Sequence, residues 1–130
     1  MSKAFSEFIP LGTSAHDFEL EDVTTKSKFS FLDVKGDKGT LIIFMCNHCP
    51  YVHHIIEELI MITNDYRVQG IGFAAISSND FVTYPEDSPE KMIEFAFDNN
   101  FEFPYLIDYY QDVAKKYQVN CKLMINAHYY

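Results

Sequence analysis

The pair Cys46-Asn47-His48-Cys49 sits between two segments of different period, and this junction constrains the fold more than any other feature of the chain. Thr40 to Met45 is a continuous apolar run rich in β-branched residues, and its length suits a buried central strand better than a helix. From Pro50 the period changes: Val52, Ile55, Ile56, Leu59, Ile60 and Tyr66 fall at helical spacing, with Glu57 and Glu58 on another face. Pro50 suits an early helical position, where its missing N–H costs nothing, and Gly70 marks the exit. The two cysteines therefore lie where a strand ends and a helix begins.

The rest of the chain repeats the alternation. Residues 1–17 hold the turn formers Pro10, Gly12, Thr13 and Ser14 and read as an irregular arm. Phe18 to Val23 and Lys28 to Phe31 read as short strands around a turn at Thr24-Thr25, and Asp33 to Gly39 as a polar turn. Ile71 to Ser77 is a second buried strand, followed by a polar loop from Asn79 to Asp87. Ser88-Pro89-Glu90 starts a helix with a cap, a proline and a first-turn acid, and the helix ends near Asn99-Asn100. Phe103 to Ile107 reads as a strand that Pro104 makes either an edge or a strand start. Asp112 to Tyr117 reads as a short helix, and Val119 to Tyr130 is apolar and ambiguous. Strands alternating with helices imply a single α/β domain over 1–130, with a mostly parallel central sheet flanked by helices. Ligands of such sheets sit at the carboxyl ends of the strands, where the cysteine pair lies.

Composition excludes several classes. With 130 residues the chain suits one domain, and 48% apolar residues mark it as globular. The net charge of -9, from 19 acidic and 10 basic side chains, disfavours nucleic acid and anionic membranes as partners. The longest apolar stretch is too short to span a bilayer, and the first residues show no signal-peptide pattern, which predicts a cytoplasmic location. The third cysteine, Cys121, stands alone, so the set is not a secreted disulfide framework; it points to redox chemistry or metal binding.

A thiolate attacks disulfides, and the start of a helix stabilises negative charge through its unpaired N–H groups and its dipole. Cys46 at or just before a helix N-terminus is therefore a candidate nucleophile. Cys49, three positions on and about one helical turn away, returns within reach to resolve a mixed disulfide. His48 between them, when protonated, favours the Cys46 thiolate. The metal alternative, zinc above all, uses Cys46, Cys49 and the neighbouring His48, His53 and His54, with Cys121 or His128 as a further ligand. No second Cys-x-x-Cys or spaced histidine pair supports it, and packing cysteines are the plain alternative to both. A c-type haem would need histidine after Cys49, where Pro50 stands. His53 and His54 read as surface residues of the helix, and His16 and His128 carry no signal.

The run Thr40 to Val52 resembles thioredoxin-like proteins of the alkyl hydroperoxide reductase / thiol-specific antioxidant (redoxin) superfamily, in the group that reads Phe-x-Cys-Asn-His-Cys-Pro-(Tyr/Phe)-Val. The resemblance extends to Pro10–Phe18, Ala75–Asp80, Tyr84–Met92, Phe103–Leu106 and Val113–Tyr117, and so covers roughly residues 8–121. It implies a thioredoxin-like fold and a thiol-disulfide oxidoreductase, with Cys46 attacking, Cys49 resolving and no cofactor. Its partners would be protein or small-molecule disulfides and thiols. The typical peroxiredoxin pattern Pro-x-x-x-(Ser/Thr)-x-x-Cys fails, since Gly39 and Ile43 precede Cys46 at the required positions, and Ile42 and Cys46 precede Cys49. The usual Trp-Cys-Gly-Pro-Cys of thioredoxin is also absent. The family expects Cys-Thr-Pro at the third cysteine, with a cis-proline facing the dithiol, then a β-hairpin and a last helix. Here Lys122-Leu123 follows Cys121. That departure predicts a truncated or altered C-terminal part, with 122–130 a non-family tail and the hairpin and last helix missing. It further predicts weakened activity or an inactive fragment, and self-association that covers an exposed sheet edge.

Overall fold

The computed structural model describes residues 14–119 and the backbone of 124–129. Among the described residues, six strands form one sheet: β1 (Glu19–Asp22), β2 (Lys28–Ser30), β3 (Gly39–Phe44), β4 (Ile71–Ser77), β5 (Tyr105–Ile107) and β6 (Met124–Tyr129). The helices are α1 (Phe31–Val34), α2 (Pro50–Arg67), α3 (Pro89–Asp98) and α4 (Asp112–Lys116), with a 3-10 turn at Pro85–Asp87. The spatial order is β2-β1-β5-β4-β3-β6. The central strands β5, β4 and β3 run parallel. The flanking pairings of β1 with β2, β1 with β5 and β3 with β6 are antiparallel, so the sheet as a whole is mixed.

Alternation along the central strands produces two core layers. Ile43, Ala75, Tyr105 and Ile107 face Val52, Ile56 and Leu59 of α2 and Met92 and Ala96 of α3. Ile42, Phe44, Ala74, Ile76 and Leu106 face the other way, against Phe31 and Val34 of α1 and Val113, Ala114 and Tyr117 around α4. The central strands are buried on both faces, which is why Thr40 to Phe44 and Phe73 to Ser77 read as unbroken rather than alternating runs.

Several boundaries differ from expectation. Phe31 begins α1 rather than ending a strand, because Ser30 and Asp33 form a reciprocal capping box that turns the chain. The segment expected as a polar turn from Asp33 therefore begins inside a helix, and Val34 is buried. Gly36 and Gly72 pack backbone to backbone: a Cβ on Gly72 would meet the Val34 carbonyl oxygen at 2.1 Å. Pro104 precedes β5 as a strand start; β5 is not an edge, since it lies between β1 and β4. The ambiguous apolar tail holds β6, which pairs with β3 from Gly39↔Tyr129 to Phe44↔Met124. Cys121 lies outside the described residues, as do residues 1–13 of the expected N-terminal arm.

Candidate active site

The chain leaves β3 at Phe44 and enters α2 at Pro50, with Cys49 as the N-cap residue in an extended conformation. Proline at the first helical position cannot continue a helix backwards, so Cys46 to Cys49 form a bend rather than a helical turn. The expectation that one helical turn brings the cysteines together is thus replaced by a bend that places both in one core layer with Met45 and Val52. Cys46 and Cys49 are each 2% exposed, and neither is in a disulfide. A pocket of about 250 Å³ opens on Cys46 between Phe44, Met45, Ile76, Ser78 and Asn79. A wider groove of about 620 Å³ runs past His48 and His53 toward Glu94 and Asp98 of α3.

What holds the bend in place is Asp87, a buried residue that the sequence places in a polar loop. Its Oδ1 accepts the backbone N–H of Asn47 at 2.7 Å and that of His48 at 3.1 Å. Its Oδ2 accepts Asn79 Nδ2 at 2.8 Å and also pairs with His48 Nδ1. The N–H groups just ahead of α2, expected to face a Cys46 thiolate, are thus turned to a carboxylate 40 positions away in sequence. The ring of His48 stacks on Tyr84, with centroids 4.7 Å apart and planes within 4°. The imidazole is fixed by one edge and one face.

Asn47 is equally constrained. Its Nδ2 donates to the Glu86 carbonyl at 3.0 Å, its Oδ1 accepts from the Tyr105 hydroxyl at 2.8 Å, and its carbonyl accepts from His53 Nε2. Burial pushes the Tyr105 phenol well above its ordinary range, and negative charge at Cys46 and then at Asp87 adds to the effect.

Of the expected site residues, the structure brings together Cys46 and His48, and adds Asp87. A sulfur, a ring nitrogen and a carboxylate oxygen of these three lie within 4.8 Å of one another. Among the described residues, the expected metal set of Cys46, Cys49, His48, His53 and His54 forms no such group as a whole: Cys46 and His48 fall in one with Asp87, and Cys49, His53 and His54 do not. His53 spends its Nε2 on Asn47 and packs its ring edge-on against Phe95. The acceptor positions of Asp87 already hold four donors, so a metal would bind only by displacing them. His128 lies in β6, of which only the backbone is described. The one signal that pointed at Asp87, Asn79 and Tyr84 was their presence in the segments Ala75–Asp80 and Tyr84–Met92 that resemble the redoxin group. Periodicity and spacing carried none.

A family model described as AhpC/TSA family matches residues 11–129. The chain belongs to the AhpC/TSA family. The match runs through β6, over most of the segment expected as a non-family tail. Among solved structures, an uncharacterized conserved protein from Geobacillus kaustophilus is 44% identical with a TM-score of 0.91, covering 94% of this chain and 65% of that one. A hypothetical protein from Sinorhizobium meliloti is 35% identical with a TM-score of 0.91, covering 95% and 67%. This AhpC/TSA family member thus spans about two thirds of the length of these relatives. A secreted disulfide oxidoreductase from Mycobacterium tuberculosis, 17% identical, has a TM-score of 0.69 over 83% of this chain and 72% of that one, a likeness of fold alone. The fold is thioredoxin-like. No curated protein matches the sequence. Among the described residues, no helix is long and apolar enough to cross a membrane.

Proposed function

We propose that this AhpC/TSA family member is a thiol-disulfide oxidoreductase that works through Cys46 and Cys49, with protein or small-molecule disulfides and thiols as its partners. The observation that carries this reading is the convergence of Cys46, His48 and Asp87 at the carboxyl end of β3, next to Cys49 at the cap of α2.

The Cys46 thiolate attacks one sulfur of a substrate disulfide. A Cys46–substrate disulfide forms, the substrate S–S bond breaks, and the departing sulfur takes a proton. Cys49 then loses its proton and attacks the Cys46 sulfur. The Cys46–Cys49 disulfide forms, the mixed disulfide breaks, and the second substrate sulfur leaves and takes up the proton that Cys49 lost. The substrate gains two electrons and the protein pair loses two; a dithiol reductant restores the pair.

Cysteine-to-serine variants test this. Cys46→Ser should abolish disulfide exchange with a small aromatic disulfide, whereas Cys49→Ser should accumulate a mixed disulfide visible by intact mass. An unchanged exchange rate in Cys46→Ser sinks the reading.

A further inference from the structure

Asp87 performs a task that the dithiol alone does not require. A carboxylate is acceptor-only, and all four groups facing it are donors: two backbone N–H groups, the Asn79 amide and a His48 ring nitrogen. His48 Nδ1 therefore carries hydrogen. In a neutral imidazole one nitrogen donates and the other accepts, so a hydrogen held at Nδ1 leaves Nε2 as the proton acceptor. The Asn79 amide donates to the same carboxylate oxygen at 2.8 Å and so holds in place the acceptor that Nδ1 faces. Tyr84 prevents the ring from tilting out of this plane.

We propose that Asp87 is a positioning residue of the dithiol site: it fixes the tautomer and orientation of His48 so that Nε2 carries the proton traffic of disulfide exchange. The proposal rests on the dithiol reading above. With Nδ1–H held by Asp87, Nε2 is the ring nitrogen left to hand a proton to the departing substrate sulfur in the first step, and it regains one from solvent. Asp87 plays the part of the orienting acid of a hydrolase triad. Because Asp87 also holds the backbone at Asn47 and His48, one side chain sets both the ring and the loop that presents Cys46.

The substitution Asp87→Asn keeps the shape of the side chain and an oxygen to accept the Asn47 and His48 backbone N–H groups, but presents an amide donor where Nδ1 needs an acceptor. Exchange with a small aromatic disulfide at pH 7 should slow by about 100-fold, the lower end of the range for a lost proton-transfer group. His48→Ala should slow it by a similar factor. The decisive measurement is the double variant. If Asp87 acts through His48, adding Asp87→Asn to His48→Ala should change the rate less than twofold; a purely structural Asp87 would slow both backgrounds by the same factor, and that result overturns the proposal. Should Asp87→Asn fail to fold, Asn79→Ala, which removes only one of the four donors, takes its place in the same cycle with an expected slowing of a few-fold. Cys46→Ser is measured alongside. If that variant is inactive while Asp87→Asn and Asn79→Ala both exchange at the parent rate, the dithiol reading stands and this inference fails. If Cys46→Ser is fully active, the dithiol reading itself has failed.

Discussion

The hydroxyl of Tyr105 donates to Asn47 Oδ1 at 2.8 Å, joining β5 to the dithiol bend across 58 positions of sequence. Both side chains are buried, and Tyr105 is wholly so. The bond therefore does two things at once. It satisfies a phenol that burial would otherwise leave without water, and it fixes the residue directly after Cys46 against the central sheet. With Glu86 and His53 on its remaining groups, Asn47 ties β5, the Pro85–Asp87 turn and α2 to one point.

Removing the Tyr105 hydroxyl leaves Asn47 Oδ1 buried without its donor. An unsatisfied buried acceptor costs about 1–3 kcal/mol, so Tyr105→Phe should lower unfolding stability by that amount despite a nearly unchanged volume. Urea denaturation followed by circular dichroism measures it. A gain in stability would mean that the bond contributes nothing.

The same tyrosine sets an alkaline limit. Its phenol titrates well above the ordinary value of 10.0 in the folded chain, because burial and the nearby charges at Cys46 and Asp87 oppose the phenolate. The unfolded chain loses that proton first as pH rises. The contribution of Tyr105 is therefore intact below the ordinary value and is lost progressively above it, up to the folded value. Urea midpoints taken from pH 8 to pH 11 should fall more steeply for the parent than for Tyr105→Phe. Parallel slopes would show that this residue does not carry the effect.

The elements were legible where one physical signal dominated. Thr40 to Phe44 and Phe73 to Ser77 are covered on both faces, so continuous apolar runs mark them as strands. Pro50 and Ser88-Pro89 marked helix starts because cap chemistry is local. Phe31 falls in a helix and not in the expected strand because the Ser30–Asp33 capping box turns the chain there. Pro104 was compatible with an edge, and only tertiary pairing places β5 inside the sheet. The site divided in the same way. Cys46, His48 and Cys49 stood together in sequence, but the partner of His48 lies 39 positions on, in a stretch whose polarity reads as a solvated loop. Nothing in composition distinguishes buried Asp87 from its exposed neighbours; its burial follows from the donors that close around it.

Gly72 carries a constraint of a different kind. A Cβ there would stand 2.1 Å from the Val34 carbonyl oxygen and 2.5 Å from the Gly36 nitrogen, both rigid backbone atoms. Gly72→Ala must push α1 and the following turn away from β4, and overpacking of this sort costs about 3 kcal/mol. The midpoint of chemical denaturation should fall accordingly. A midpoint within error of the parent would show that this backbone contact yields without cost.

Ser88 separates local stability from chemistry next to Asp87. Its Oγ accepts the Lys91 N–H at 3.3 Å and caps α3, one position beyond the carboxylate that holds His48. Ser88→Ala removes the cap and should cost about 1 kcal/mol, a fall of about 4 °C in Tm. Asp87 has four donors of its own, none of them from α3, so the geometry at His48 should survive the loss of the cap. The rate of disulfide exchange by Ser88→Ala should therefore stay within twofold of the parent. A tenfold slowing would mean that the start of α3, rather than the carboxylate alone, sets the position of the ring. Read with Asp87→Asn, the pair of variants distinguishes a weakened helix start from a lost hydrogen-bond acceptor at the same place in the fold.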